Sequence, residues 1–300
     1  MGRPDSTLES ACPWLRSLDE AMKGINLSMR GSRLAVGIDS SGEDSKSGYW
    51  ILAILAMDLD YSLAWVDRIA EIRDGLLPNG REMSYKGLHD HYKLEALDTF
   101  LSAASSISGA LVVFALDKRI THLITRPDSV EQFHKQGRLK ARWKVPGFEK
   151  MTRIAFLASY LVAEFGQPGQ EILWAIDEDD AVANDARHDD FCELSTAFLR
   201  KLTTKQFVGS AGVCTTAVDK SGERSGEKDF VAIPDFAAGA WRQALLSMPV
   251  CSDASAHDLR AMTTGKARKI LDWFMDDGTA LRKRFIRFES LDSKHIRVHW

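Results

Sequence analysis

The hydrophobic pattern of the chain first becomes regular in RLAVGID, residues 33 to 39. Large apolar side chains alternate here with small or polar ones, Leu34, Val36 and Ile38 against Ala35, Gly37 and Asp39. An alternation of period two predicts a β-strand with one large apolar face and one small-residue face. Asp39 therefore ends the strand on the face that carries little side-chain volume.

Further segments have the length and apolar character of strands. YWILAILAMD is continuously apolar, which is typical of a strand covered on both faces. The others are ALVVFALD, EILWAID and GVCTTAVD, and their last residues are Asp117, Asp177 and Asp219. The C-terminal segment RFIRFESLDSKHIRVHW alternates well enough to predict a β-hairpin.

Helical periodicity separates these strands. A 3.6-residue period follows Ser62, which can cap a helix that PNG at 78 to 80 terminates. Other helices are predicted at about 14–22, 90–106, 149–165 and 185–202, and PDFAAGAWRQALL begins one more, with Pro234 near its start. The alternation of strands and helices predicts an α/β domain with a central mixed sheet.

We predict one large domain with additions. Residues 1–30 form an N-terminal extension, 31–250 form the α/β domain, and 251–300 form a C-terminal helix and hairpin. Residues 118–148 are basic and lack a clear period, so we interpret them as an insertion that leaves the core. A chain of 300 residues, 45% of them hydrophobic, can bury a core of this size.

The cysteines and the apolar runs bear on location. The four cysteines, Cys12, Cys192, Cys214 and Cys251, are far apart and form no C-x-x-C pair, so neither a disulfide framework nor a structural zinc site is expected. The longest apolar run, YWILAILAM, is about half the length of a membrane span. These features predict a cytoplasmic protein with no membrane partner.

The net charge of −3 hides an uneven distribution. Residues 119–153 carry nine Lys or Arg against three Asp or Glu, and RKRFIR follows at 282–287. Acidic groups concentrate elsewhere, notably in DEDD at 177–180. Separate acidic and basic zones are compatible with a metal centre beside a surface that binds a polyanion. Each zone taken alone is also compatible with an ordinary solvated face.

The strand ends carry the candidate chemistry. Asp39, Asp117 and Asp177 each end a strand, and Asp235 is predicted in the first turn of a helix. Ligands bind at the carboxyl ends of strands in open α/β sheets, and acids gathered there need a cation to offset their repulsion. Oxygen ligands without nearby His or Cys favour Mg²⁺ or Mn²⁺. The alternative is that these aspartates only cap helices and form turns.

Five motifs between about residues 33 and 245 resemble, in order, those of the domain-of-unknown-function family numbered thirty-eight hundred. They are VGIDSSGED, REMSYKGL, LVVFALDK, ILWAIDEDD and IPDFAAGAW. The family typically reads YIDESG in the first strand, E-x-K/H-x-S-K-L before the second helix, V-I-D-K and I-I-D in later strands, and A-D-x-x-A-G-A in a late helix. The resemblance implies a ribonuclease-H-like fold with an acidic divalent-metal site and, by analogy, a nuclease.

The resemblance also implies roles for individual residues. It implies a catalytic set of Asp39, Glu82, Lys86, Asp177 and Asp235, and metal ligands at Asp39, Asp117, Asp177 and Asp235. Lys118 matches the lysine of the V-I-D-K motif. Ser40 stands where the family has glutamate, and Pro234 where it has alanine. Glu43, Asp44 or a water molecule can replace the missing acid.

If these acids converge, the expected reaction is two-metal hydrolysis of a phosphodiester bond in DNA or RNA. The basic segment HKQGRLKARWKV suits the nucleic-acid backbone and offers an aromatic ring for stacking on a base. The predicted contacts are Lys135, Arg138, Lys140, Arg142, Trp143 and Lys144. A solvated insertion anchored by one tryptophan remains the alternative for this segment.

Two other classes of function remain open. A non-catalytic module would use the acids as caps and bind a protein or nucleic acid through the basic zones. An actin-like phosphotransferase begins with a phosphate turn that GIDSSGED faintly resembles, but its second glycine-rich turn has no counterpart in IDEDD. Metal binding separates a catalytic site from a module.

Overall fold

The computed structural model describes residues 12–77, 81–126, 128–177, 182–215, 227–246, 248, 253–292 and 295–300, with only the backbone described at 208–215, 227 and 228. Its strands are β1 (Arg33–Ser41), β2 (Tyr49–Asp58), β3 (Gly109–Asp117), β4 (Glu171–Ile176), β5 (Val208–Thr215), β6 (Leu281–Ser290) and β7 (Ile296–His299). Its helices are α1 (Leu15–Met22), α2 (Leu63–Leu76), α3 (His91–Ala104), α4 (Ser129–Lys135), α5 (Val145–Phe165), α6 (Asp185–Leu202), α7 (Glu227–Leu246), α8 (Ala256–Met262) and α9 (Gly265–Phe274).

The described strands form one mixed sheet in the order β5-β4-β1-β2-β3-β6-β7. β2 pairs antiparallel with both β1 and β3, whereas β4 is parallel to β1, and β5 is parallel to β4. This order of the first five strands, with β2 alone reversed, is that of the ribonuclease-H-like fold. The predicted fold class is thereby confirmed.

Each face of the sheet is covered by helices. One core contains the large residues of β1 together with α1, α5 and α6. The other contains α2, α3, α7 and α9. β2 is buried over its full length because helices cover it on both sides, as its continuous apolar run predicted. Within the described residues no helix is both long and apolar enough to cross a membrane.

The small-residue face of β1 lets a helix approach closely. A Cβ atom added to Gly37 would lie 2.9 Å from the ring of Phe230 on α7, which real side chains do not tolerate. Ala35, on the same face, belongs to the core that contains α7. Asp39 follows on this face, so the close packing brings α7 beside the end of β1.

Several boundaries differ from the sequence prediction. α7 begins at Glu227, so Pro234 is inside the helix and Asp235 does not lie in its first turn. Pro234 lacks an N–H, but burial of the surrounding apolar residues holds the helix together despite the missing bond. α5 begins at Val145 instead of about 149, and β5 at Val208 instead of 212. The strand end predicted at Asp219 lies outside the described residues.

The C-terminal hairpin is confirmed, with β6 and β7 antiparallel. β6 also pairs in parallel with β3 and extends the central sheet, which the hairpin prediction did not include. The basic segment 118–148 contains helix α4 and several side chains packed into the core, among them Ile120, Leu123 and Ala141. It is therefore more closely packed against the domain than an excursion would be.

Candidate active site

Two of the predicted acids meet because their strands are neighbours in register. Ile38 of β1 pairs with Ile176 of β4, and the N–H of Asp177 donates to the Ile38 carbonyl oxygen at 3.1 Å. The next residue on each strand is an aspartate, and the carboxyl groups of Asp39 and Asp177 are close enough for Asp177 to raise the pKa of Asp39.

The third acid comes from α7. Asp235 accepts a hydrogen bond from the backbone N–H of Tyr85, with a nitrogen–oxygen distance of 2.7 Å. It lines the same cavity as Asp39 and Asp177, at the carboxyl ends of β1 and β4. The three acids thus line one cavity, while their catalytic and metal-binding roles remain predictions.

Burial and mutual repulsion raise the pKa of two of these acids. Asp39 is 8% exposed, and burial followed by the charges of Asp235 and Asp177 raises its pKa well above the ordinary value. Burial also raises the pKa of Asp235, to about 6, against the Tyr85 N–H and the charge of Lys86, which act to lower it. Both acids are therefore poised to exchange protons for a cation.

The acids line a cavity of about 600 Å³ whose wall also contains three basic side chains. Lys86, Lys150 and Arg242 belong to its wall. Lys150 of α5 pairs with Glu43, and Arg242 of α7 pairs with Asp44. The loop after β1 is thus held over the cavity by cations from two helices.

Lys118, which follows β3, also holds the loop after β1 by donating a hydrogen bond to the Asp44 carbonyl oxygen. Glu43 and Asp44, the two acids considered as replacements for a glutamate at Ser40, both line the cavity. Ser40 itself donates to Glu43, with an oxygen–oxygen distance of 3.3 Å. These two acids now neutralise basic side chains, so either would have to leave its partner to contact a metal ion.

A preformed metal site is not seen in the described part of the chain. No three His, Cys, Asp or Glu side chains there are grouped so as to hold one ion. Asp39 and Asp177 contact each other, while Asp235 is held by the Tyr85 N–H. Glu178, Asp179 and Asp180 lie outside the described residues.

The segment that contains Tyr85 and Lys86 packs against α7 at Gly239. A Cβ atom added to Gly239 would lie far inside van der Waals distance of the Tyr85 ring. Gly239 is one helical turn after Asp235, so it shares the face that Tyr85 covers. The Tyr85 hydroxyl donates a hydrogen bond to the side-chain oxygen of Gln243. Lys266 of α9 donates to the Tyr85 carbonyl oxygen at 2.8 Å.

The prediction that Asp117 is a metal ligand needs a correction, because other groups already occupy its carboxylate. It is fully buried and forms a salt bridge with Arg119, which donates to both carboxylate oxygens. It also accepts from the Ser290 N–H of β6 at 3.2 Å, and these bonds together hold its pKa below the ordinary value despite its burial. A satisfied buried carboxylate of this kind joins β3 to β6.

Glu82 is separated from the other predicted acids. It is exposed, and the described wall of the cavity contains Ser84 and Lys86 from its segment but not Glu82. Its predicted catalytic role has no support from this position.

The predicted nucleic-acid contacts of the basic segment also need a correction. Trp143 is 8% exposed, and its indole N–H donates to Asp190 of α6 at 2.7 Å, so its ring is not free to stack on a base. Lys135 pairs with Glu131, Lys140 with Asp189, and Arg138 lies 3.9 Å from Glu193. Arg142 and Lys144 are exposed and remain the best placed of the predicted set to meet a phosphate backbone.

Replacing Trp143 with phenylalanine is expected to lower stability without changing nucleic-acid affinity. The substitution leaves one oxygen of buried Asp190 without its indole donor, at a cost of about 1–3 kcal/mol. Chemical denaturation and an oligonucleotide titration measure the two quantities. Trp300→Phe, at a position 58% exposed, is the matched control and should change neither. A large loss of affinity in W143F alone would restore the stacking role.

The sequence did not single out several residues of the cavity. Arg242 is seven positions after Asp235, a spacing that places both on one helix face and could have indicated it. The signal for Gly239 was its place in a helix that contains no other described glycine. Lys150 had no distinctive signal, because only the packing of α5 against the sheet brings it to the cavity.

Comparisons with known proteins add little to this geometry. No family model matches the chain, and no curated protein matches it. A crystal structure of ribonuclease H2 from Pyrococcus horikoshii OT3 matches over 81% of this chain and 100% of that chain, with 12% identity and a TM-score of 0.37. A likeness this weak does not transfer an activity or a site. The fold assignment stands on the strand order described above.

Proposed function

We propose that the chain is a divalent-metal-dependent nuclease that hydrolyses phosphodiester bonds of DNA or RNA. The observation that carries the proposal is that Asp39, Asp177 and Asp235 line one cavity together with three basic side chains. Acids that raise one another's pKa are costly to the fold, and such groups concentrate at functional sites. The resemblance of five ordered motifs to a ribonuclease-H-like family supports the same proposal.

The residues present fit Mg²⁺ or Mn²⁺ as the cofactor. These ions bind through one or two carboxylates and complete their shells with water and substrate phosphate oxygens. The contacting pair Asp39 and Asp177 supplies that number, and Asp235 lies in the same wall. A bound ion would lower the pKa of a water molecule and stabilise negative charge on the phosphoryl group.

The basic side chains would position the substrate. Lys86 already acts electrostatically on Asp235, which places its charge beside the acids. Lys150 and Arg242 belong to the same wall and now neutralise Glu43 and Asp44. A substrate phosphate can take the place of these carboxylates, because it offers the same oxygen acceptors with a full negative charge.

We expect Mg²⁺ or Mn²⁺ to stabilise the protein more at pH 7.5 than at pH 5. Only the deprotonated acids bind a cation, and the pKa of Asp235 is raised to about 6. At one hundred times its dissociation constant, an ion adds about 2.7 kcal/mol to the free energy of unfolding. Melting curves with and without each ion at both pH values measure the difference.

The same acids fix the sign of the metal-free pH dependence. Their folded-state pKa exceeds the unfolded-state value, so the folded state keeps protons that the unfolded state loses as pH rises from about 4. Metal-free stability should therefore be highest below pH 4 for these groups and should fall through about pH 6, where Asp235 ionises. Asp39→Asn combined with Asp177→Asn should remove the metal effect.

Asp98→Asn is the control, because Asp98 is an exposed acid that pairs with Lys269 away from the cavity. It should keep the full metal response. If neither ion stabilises the parent protein and the parent cleaves neither single-stranded nor double-stranded DNA or RNA, the nuclease proposal fails. The non-catalytic interaction module would then take its place.

A further inference from the structure

A second cavity adjoins the acidic one and has a different character. Its volume is about 510 Å³, within the range of small-ligand sites. Its apolar wall consists of Val145 and Pro146, which are exposed, and of Trp50 and Ile120, which are 7% and 5% exposed. It lies between the start of β2, the segment after β3 and the first turn of α5. The proposed reaction makes no use of it.

The two cavities meet at shared residues. Glu43 and Lys150 line both of them, and Lys118 lines the second while fastening the loop above the first. The junction therefore holds two amines and one carboxylate, between acids on one side and apolar side chains on the other. Burial lowers the pKa of Lys118, but the neighbouring charges of Asp44 and Glu43 act to keep it protonated.

This order of surfaces matches the chemistry of a polynucleotide. A nucleotide carries a charged phosphate beside a flat, largely apolar base, and bases bind to aromatic and aliphatic surfaces through their faces. We propose that the second cavity binds the unpaired base of a nucleotide next to the phosphate in the acidic cavity. This inference rests on the proposed nuclease function and deepens it, because a base enters such a cavity only when it is outside a duplex.

The preferred substrate is accordingly single-stranded DNA or RNA, or a flexible end or loop. The phosphate of the bound nucleotide lies at Lys118 and Lys150, where its charge is attracted by both amines. Exposed Arg142 and Lys144 directly precede the cavity residue Val145, so the strand can continue along them. A duplex offers the same phosphates but keeps its bases stacked away from the cavity.

The test uses binding, so that it does not depend on cleavage. Asp39→Asn protein is titrated, with Mg²⁺ present, against a fluorescent single-stranded oligothymidylate and against an abasic oligonucleotide of equal length. We expect the oligothymidylate to bind about tenfold more tightly, since burying part of one base against apolar side chains has an effect of this order. Adding Val145→Glu should abolish the preference, because it lowers the affinity for the oligothymidylate more than the affinity for the abasic strand.

Val66→Glu is the matched control. Val66 is 42% exposed on α2 and Val145 is 39% exposed at the start of α5, so both substitutions add one charge at a similar surface position. Val66→Glu should keep the tenfold preference. Equal affinity for the two oligonucleotides in the parent, or equal loss of the preference in both variants, overturns the base site.

The outcome for the nuclease proposal is separate. Cleavage by the parent protein without any base preference in binding refutes only the proposal that the second cavity binds a base. Base-dependent binding without cleavage by the parent refutes the nuclease alone and leaves a single-strand-binding protein. Tighter binding of a duplex than of the single strand contradicts the base site, because the duplex withholds its bases.

Discussion

Asparagine at position 39 is expected to reduce metal-dependent phosphodiesterase activity by at least about a thousandfold while the protein remains folded. Asp39 is the acid with two carboxylate neighbours, Asp177 and Asp235, so its charge is the one most involved in attracting a cation. The substitution keeps the size of the side chain but removes the charge. A cation contributes several kcal/mol of transition-state stabilisation, and each 1.36 kcal/mol is a factor of ten in rate.

The same variant should be more stable than the parent without metal. Burial and two like charges raise the pKa of Asp39, so its ionised form is unfavourable in the folded protein at neutral pH. Asparagine removes that repulsion, and the melting temperature at pH 7.5 in a chelator should rise by a few degrees. A cap or turn aspartate would show no such gain, because asparagine largely preserves its role.

Asp190→Asn is the matched contrast. Asp190 is also buried, but it accepts N–H groups from Lys140, Ala141 and Trp143 at 2.7–3.0 Å. Asparagine has only one acceptor oxygen, so this variant should lose stability and keep its rate per folded molecule. Cleavage of single-stranded and double-stranded DNA and RNA with each ion, beside melting curves, tests both variants. Undiminished cleavage by D39N contradicts the proposed site.

Gly239→Ala is expected to destabilise the protein and to reduce activity, although alanine is ordinarily the better helix residue. The usual gain at an exposed helix position is about 1 kcal/mol. Here the added methyl group would collide with the rigid ring of Tyr85. Hydrogen bonds to Gln243 and from Lys266 keep this residue in place. Tyr85 must move, and the N–H that holds Asp235 and the adjacent Lys86 move with it.

A double-mutant cycle isolates this contact. Tyr85→Ala removes the ring, so Gly239→Ala in that background should show its ordinary stabilising sign. The coupling energy should be about 1–3 kcal/mol, as found for residues in direct contact. Gly75, at which an added Cβ atom meets nothing within 4 Å on α2, is the control for helix propensity alone. Additive effects of the Tyr85 and Gly239 substitutions would show that the position of the Tyr85 ring does not require a glycine at 239.

The sequence by itself determined most of the elements and the positions of the strand-end acids relative to them. Alternation in RLAVGID gave the faces of β1, and strand-end placement gave Asp39 and Asp177. Their meeting also required that β1 and β4 be parallel neighbours, which the tertiary structure shows. The hydrophobic period is local in sequence, so a single chain reports it reliably.

Only the tertiary structure decided which strand-end acids share the cavity. Asp117 ends β3 as Asp177 ends β4, yet Arg119 and the Ser290 N–H satisfy it. Nothing in LVVFALDK distinguishes the two cases, because Ser290 arrives from a strand that is 173 residues away. The pairing of β6 with β3 is a long-range event, and the local pattern of β3 carries no information about it.

The role of the basic segment was likewise decided by packing. Lys, Arg and Trp in alternation indicate an anion-binding surface equally well when their partners are phosphates or carboxylates. In the folded chain α6 supplies Asp189 and Asp190, which bind Lys140 and the Trp143 indole. Side chains can be assigned to solvent, protein or nucleic acid only when the opposing surface is known. Sequence therefore determined the chemistry of these residues, and tertiary contact determined which of them remain free to use it.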